Sequence, residues 1–227
     1  MSKGPGVEKM FDAIAERYDL MNRLMTFGQD RRWREFVVEK AGDLGDGWVL
    51  DLASGTGDIA ALFHQNASSA KIIGADFSRN MLAQANKRFV DQKIFWQACD
   101  ANRLPYDNDV FAAVSFGYLL RNVDDSLHVL KQVYRVLAER GRVVCLDTTP
   151  PKKNLLYPFI RLYLAVIIPL LGMLIARDSD AYAYLTGSTM DFHEAEQLAE
   201  LFRRAGFKQV GFKKFMFGTI AVHWGEK

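Results

Sequence analysis

Apolar residues from Val7 to about Ala41 recur at spacings of three and four: Val7, Met10, Phe11 and Ile14, then Leu20, Met21, Leu24 and Met25, then Trp33, Phe36 and Val37. That period predicts helix, and Gly28 breaks it into two. The pattern then changes. Trp48 to Leu52 is a short apolar run with strand propensity, followed by a glycine turn and a helix from near Asp58 to about Gln65. Asn66 to Ala70 reads as a loop. Lys71 to Asp76 is a second strand, and Ser78 caps a helix from Arg79 to about Phe89. Lys93 to Cys99 is a third strand. Leu104 to Asp109 is a turn, and Val110 to Phe116 is nearly all apolar, as a central parallel strand should be. A helix from about Asp125 to Ala138 follows, with Leu127, Leu130, Val133, Tyr134 and Leu137 on its apolar face. Gly141 ends that unit, Arg142 to Asp147 is a fifth strand, and Thr148-Thr149-Pro150-Pro151 is a rigid exit. His193 to Ala205 is an amphipathic helix stopped by Gly206. Lys208 to Phe215 and Phe217 to Trp224 alternate around Gly218 as a closing hairpin.

Strands alternating with helices predict an α/β domain around one open, mostly parallel sheet. In such sheets ligands bind beyond the carboxyl ends of the strands. The first of those ends is Asp51-Leu52-Ala53-Ser54-Gly55-Thr56-Gly57-Asp58. Gly55 and Gly57 allow a sharp turn close to a ligand, and the N–H groups of the following helix face the same place. Gly55, Gly57 and Ala60, with Asp76 further on, satisfy a loose dinucleotide pattern. The charges argue otherwise. Asp51 and Asp58 would flank a pyrophosphate and repel it, but they suit a ligand carrying a sulfonium and an ammonium, such as S-adenosylmethionine (SAM). Asp76 can accept from two ribose hydroxyls in either case. Asp100, after the third strand, can accept from an adenine amine; the bland alternative is a turn aspartate. Ser115, at the end of the fourth strand, faces the same crevice. A plain βα turn without a ligand is the remaining reading of the loop.

Leu155 to Ala176 is the odd segment, apolar over a length that invites a spanning helix. Pro158, Pro169 and Arg161 weigh against that. The reading adopted is a hydrophobic lid over a greasy substrate, able to touch a membrane; a buried helix pair is the alternative. Asp178 to Asp191 is polar and aromatic, with Tyr182 and Tyr184 two apart. Arg31, Arg32 and Arg34 beside Trp33 read as a solvated helix face.

Bulk composition narrows the classes. The 227 residues, 49% hydrophobic and 25% charged, support one real core, and a net charge of +2 without like-charged runs does not suggest nucleic acid. Cys99 and Cys145 lie in predicted strands with no redox spacing, which reads as reduced core residues of a cytoplasmic protein. The four histidines are scattered, so no metal is expected. Met1 to Gly6 shows no signal peptide.

The strand ends taken together, Asp51 with Gly55-Thr56-Gly57, then Asp76, Asp100-Ala101 and Ser115, resemble those of class I SAM-dependent methyltransferases. Tyr18-Asp19-Leu20-Met21-Asn22 with Gly28 and Trp33 resembles the N-terminal signature of the UbiE/MenG family. Ser115-Phe116-Gly117 with Arg121-Asn122-Val123, and Tyr134-Arg135-Val136-Leu137, resemble it too. So do Tyr182, Tyr184-Leu185, Ala205-Gly206-Phe207 and the closing hairpin. The resemblance implies a single domain over 1–227 with a three-layer, Rossmann-like class I methyltransferase fold. Its sheet would have seven strands, mostly parallel with an antiparallel C-terminal strand. Residues 1–41 would form a helical cap and 152–190 a lid. It further implies C-methylation of a prenylated quinol in menaquinone or ubiquinone synthesis. SAM would then be held by Asp51, Gly55, Thr56, Gly57, Asp76, Phe77, Asp100, Ala101 and Ser115. The chain departs from the family in places. Two residues are added between Gly117 and Arg121, Asp147-Thr148-Thr149 replaces a Glu-x-Ser, and Thr26 stands for a serine. Ala138-Glu139-Arg140-Gly141 replaces a Lys-Pro-Gly-Gly turn, and Thr189-Met190-Asp191 replaces an arginine-containing run.

For that reaction Arg121 and Asn122 are the candidates to stabilise a forming phenolate, and Tyr18 the candidate to position the ring or the methionine end of SAM. A salt bridge from Arg121 to Asp124 or Asp125 is the plainer reading. Rival functions stay open: transfer to another small hydrophobic acceptor, a dehydrogenase, or a non-catalytic isoprenoid-binding subunit. Peripheral contact with the inner face of a membrane and a homodimer are further open expectations.

Overall fold

The computed structural model describes residues 6, 10, 18–176 and 179–227. Val7, Phe11 and Ile14 of the predicted first helix lie outside that set, as do the side chains of Tyr18, Asp19 and Tyr182. The first described helix is α1 (Tyr18–Met25), and the turn at Gly28 separates it from α2 (Asp30–Ala41). Gly28 has φ +72°, a conformation that suits a residue without Cβ.

Seven strands form one sheet: β1 (Trp48–Leu52), β2 (Lys71–Asp76), β3 (Ile94–Ala98), β4 (Phe111–Gly117), β5 (Leu137–Thr148), β6 (Lys208–Phe215) and β7 (Ile220–Glu226). Their order is β3-β2-β1-β4-β5-β7-β6. Pairs from β3 through β5 are parallel, and β7 runs antiparallel to both β5 and β6. The order reverses beside β1, so the crevice opens above the ends of β1 and β4.

Helices cover the sheet in two layers. Trp33 and Val37 of α2 pack with Phe63 of α3 (Asp58–Asn66) onto Val49, Ile72 and Val144. In the second core, Val129, Leu130 and Val133 of α5 (Ser126–Val136) meet Leu198 and Phe202 of α9 (Ala195–Ala205), together with Leu50, Val114 and Phe116. Adjacent strand residues point to opposite faces, so Val49 and Leu50 serve different cores. The helix α4 (Arg79–Arg88) is capped by Ser78, whose Oγ accepts from the Met81 N–H at 3.1 Å.

Three local expectations need correction. The buried face of α5 includes Val129 and Val136, whereas Leu127 and Tyr134 are half-buried and Leu137 already belongs to β5. Gly141 does not end a unit. It sits inside β5, where the register jumps from Phe111–Leu137 to Ala113–Arg142. A side chain there would meet the Phe111 carbonyl at 2.9 Å, so glycine lets the bulge press on β4. Arg34 is not solvated: it is buried, ion-paired with Asp30, and reaches Asp58 at 3.1 Å.

The apolar segment is a helical arm. It comprises α6 (Tyr157–Leu162), a π-helical turn Tyr163–Ile167, α7 (Ile168–Leu171) and a second π-helical turn Gly172–Ala176; α8 (Ser179–Met190) follows. The prolines do not break it. Each lies in the first turn of its α-helix, and the wider π turn before α7 makes room for the Pro169 ring. Among the described residues, no helix is long and apolar enough to cross a membrane.

Candidate active site

Asp51 is a structural hub. Its Oδ1 accepts from Ser115 Oγ at 2.7 Å, and its Oδ2 accepts from Ser54 Oγ at 2.6 Å and from the Ala60 N–H at 3.1 Å. It therefore ties β1 to β4 and to the start of α3. Burial pushes its carboxyl up to about 6, against the pull of those hydrogen bonds. Asp58 is held by Arg34 and by Arg88 at 2.8 Å. The carboxylates expected to repel a pyrophosphate are thus occupied by protein partners.

The two loop glycines do different work. Gly57 has φ +90°, and a Cβ on it would meet the Trp96 ring at 2.6 Å, so it is needed for packing. Gly55 has φ +56°, and a Cβ on it would find no atom within 4 Å, because it opens on a cavity. Its N–H donates to Asp76 Oδ2 at 2.8 Å, while Asp76 Oδ1 accepts from the Ser78 N–H at 2.9 Å. Carboxylate oxygens carry two lone pairs each, so Asp76 can still accept from a ligand hydroxyl.

That cavity, of about 130 Å³, lies at the topological switch point. Of the expected residues, Gly55, Asp76, Phe77, Asp100 and Ala101 line it; Asp51, Thr56, Gly57 and Ser115 do not. Met81, Asn102, Tyr118 and Leu119 also line it and were not singled out by sequence; Ala53, Cys99, Val123 and Asp124 line it too, though sequence assigned them no part in holding the cofactor. Asp100 Oδ1 accepts from both the backbone and the side-chain amide of Asn102, each at 2.9 Å. Burial pushes the Cys99 thiol up to about 11, so it stays protonated. Ala53 (φ +54°) and Tyr118 (φ +58°) stand directly after β1 and β4 in the left-handed region. For residues with a Cβ that conformation costs roughly 1–2 kcal/mol, and such strain collects at functional sites.

A second cavity, of about 330 Å³, adjoins the first, and Tyr118 lines both. Its walls are mostly carbon. They come from the end of α1 and its turn (Met25, Phe27), the arm (Phe159, Tyr163, Ile168), α8 (Leu185) and the last turn (Phe217). Tyr163 Oη donates to the Met25 carbonyl at 2.7 Å and clamps arm to cap. The charged group in this wall is Arg121. It is buried, with Nη1 3.4 Å from Asp147 Oδ1 and the guanidinium 4.7 Å over the Tyr118 ring. Among the described residues its ion pair is with Asp147, not with Asp124 or Asp125. Asp147 Oδ2 also accepts from the N–H groups of Leu120 and Arg121, at 3.0 and 3.4 Å. Burial raises the Asp147 carboxyl above the usual range, and Arg121 and these N–H groups pull it back. Asn122 lines the first cavity instead. Its Nδ2 donates to the Tyr118 carbonyl at 2.7 Å and its Oδ1 accepts from Tyr184 Oη at 3.2 Å.

The model of the ubiE/COQ5 methyltransferase family matches residues 1–227. The chain belongs to the ubiE/COQ5 methyltransferase family. It is 66% identical over 227 residues to the ubiquinone/menaquinone biosynthesis C-methyltransferase UbiE of Desulfotalea psychrophila, covering all of this chain and 92% of that protein. It is 39% identical over 220 residues to the demethylmenaquinone methyltransferase of Thermus thermophilus, covering 96% of this chain and 100% of the other. Its fold matches a SAM-dependent methyltransferase from Thermotoga maritima with a TM-score of 0.66 at 18% identity, over 96% and 98% of the two chains. This member of the ubiE/COQ5 family is therefore a SAM-dependent methyltransferase, and the expected class I fold is the observed one. The first cavity fits an adenosyl ligand: the Asp76 carboxylate at the end of β2, apolar walls from Phe77, Met81 and Leu119, and a glycine whose missing Cβ leaves room.

Proposed function

We propose that this chain transfers a methyl group from SAM to a ring carbon of a prenylated quinol, in menaquinone or ubiquinone synthesis. The observation that carries this reading is the pair of adjoining cavities with Tyr118 in both walls, one rimmed by carboxylates and the other apolar with a buried guanidinium. When bound, SAM supplies an electrophilic methyl group on sulfonium. The protein brings the ring carbon into line with it, a proximity task. Arg121 stabilises the quinol oxygen as it loses its proton, in a setting where burial strengthens the interaction. With SAM bound, the new carbon–carbon bond would form as the sulfur–carbon bond breaks, and the ring proton would pass to water as aromaticity returns. Asp147 fixes the guanidinium, and Asn122 braces the Tyr118 backbone. Tyr18 remains a proposed positioning group.

The test is turnover of a short-tailed demethylmenaquinol. Arg121→Ala lowers kcat at least a hundredfold while S-adenosylhomocysteine (SAH) affinity stays within a few-fold of wild type. Arg121→Lys keeps the charge opposite Asp147 and controls for folding. Unchanged turnover in Arg121→Ala removes the assignment. The exposed arm residues Leu155, Phe159 and Leu162 support a further part of the proposal, peripheral contact with a membrane that delivers the prenyl tail. Failure of the chain to sediment with anionic lipid vesicles would remove that part.

A further inference from the structure

Among the described residues, the acceptor cavity is lined by two side chains with a buried, uncharged polar atom that the protein leaves without a hydrogen-bond partner. Asn22 Nδ2 and Thr148 Oγ1 find no hydrogen bond among the described residues, and both side chains line that cavity. Asn22 is 8% exposed. His64 Nδ1, Gln92 Oε1 and His223 Nδ1 share the condition but line neither cavity. Buried polar atoms are nearly always satisfied, and one left unsatisfied calls for an explanation such as a ligand or water. Here the two side chains come from separate elements, α1 and the end of β5, and line one largely apolar space. A prenyl tail cannot satisfy either. An amide N–H needs an acceptor oxygen, and a threonine hydroxyl can give or take a proton. Neither group is charged, so the pair suits a neutral oxygen rather than a carboxylate. Thr148 directly follows Asp147, whose carboxylate accepts the Thr148 N–H at 2.8 Å and pairs with Arg121.

We propose that Asn22 and Thr148 form a subsite for an uncharged ring oxygen of the acceptor, so that the enzyme selects rings with two oxygens. This rests on the quinol reading above. One oxygen is deprotonated beside Arg121; the other stays neutral and bonded to Asn22 and Thr148. The head group, not the tail, occupies this end of the cavity.

Calorimetry with the SAH-loaded protein tests it. The probes are a short-tailed 2-prenyl-1,4-naphthohydroquinone and the two naphthols that each lack one of its oxygens. Wild type binds one naphthol about tenfold more weakly than the diol, as the loss of a buried hydrogen bond predicts. Asn22→Leu and Thr148→Val each lose about tenfold on the diol but nothing further on that naphthol. Thr148→Val is near-isosteric and removes a hydroxyl without a partner, so its apo thermal midpoint does not fall. Variants that bind the diol as wild type does, or that lose the same factor on all three probes, overturn the subsite alone, provided wild type methylates the diol. If wild type binds SAH but never methylates the diol, the quinol reading fails and the subsite falls with it.

Discussion

Replacing Asp51 by asparagine separates a structural hub from a ligand contact. Burial raises this carboxyl from 3.8 to about 6. At about 1.4 kcal/mol per unit, that shift withholds about 3 kcal/mol of folding free energy once the group ionises. The sign follows from linkage: the contribution is fully present below pH 3.8 and is lost as pH rises through about 6. Asparagine never ionises. Its carbonyl can keep the bonds from Ser54 and Ala60, and its amide can donate to Ser115 if that hydroxyl rotates. One imperfect hydrogen bond costs about 1 kcal/mol. Asp51→Asn is therefore about 1 kcal/mol less stable than wild type near pH 4 and about 2 kcal/mol more stable near pH 8. Urea unfolding of both proteins across that range measures the difference, and the other carboxylates cancel in it. A difference that is flat, or that falls as pH rises, refutes the argument. SAH affinity should change by less than tenfold, because Asp51 does not line the first cavity; loss of binding would return Asp51 to the ligand.

The glycine loop yields a paired prediction: Gly57→Ala is destabilised by about 2–4 kcal/mol through its collision with Trp96, whereas Gly55→Ala loses about 1 kcal/mol from backbone strain but binds SAH at least tenfold more weakly. Urea midpoints and calorimetry on both variants would expose any reversal of that order. Tyr118→Gly keeps the turn, since glycine accepts φ +58° freely, yet removes the ring between the cavities. Its kcat falls at least tenfold while Tyr118→Phe stays near wild type; equal kinetics in all three proteins would deny Tyr118 a role.

Much of the fold was legible because single residues carried local signals. Ser78 and Gly206 marked helix ends, and the apolar runs of β1, β2 and β4 announced a parallel sheet. The bulge in β5 was not, since it depends on how closely Gly141 approaches β4. At the site, sequence found the acids after the strands but could not tell which way they point. Asp76 and Asp100 face the cavity, while Asp51 turns inward to Ser115 and Asp58 is claimed by Arg34 and Arg88, distant in sequence. Arg121 came from the family resemblance, and Asn22 was seen only as part of the Tyr18–Asn22 run, without a role. The ion pair with Asp147 joins two different strand ends and has no local signature.

The place of β7 between β5 and β6 has a consequence for synthesis. The ribosome delivers β5 first, then the arm, α8, α9 and β6, and only then the strand that belongs beside β5. Until it arrives, the backbone groups of β5 from Arg142 to Thr148 face no partner on that side. An unpaired strand edge next to an apolar arm is where a nascent chain sticks to its neighbours or calls on a chaperone. Because β6 pairs in the sheet only with β7, both outer strands must wait for β7 before they can cover that edge of β5.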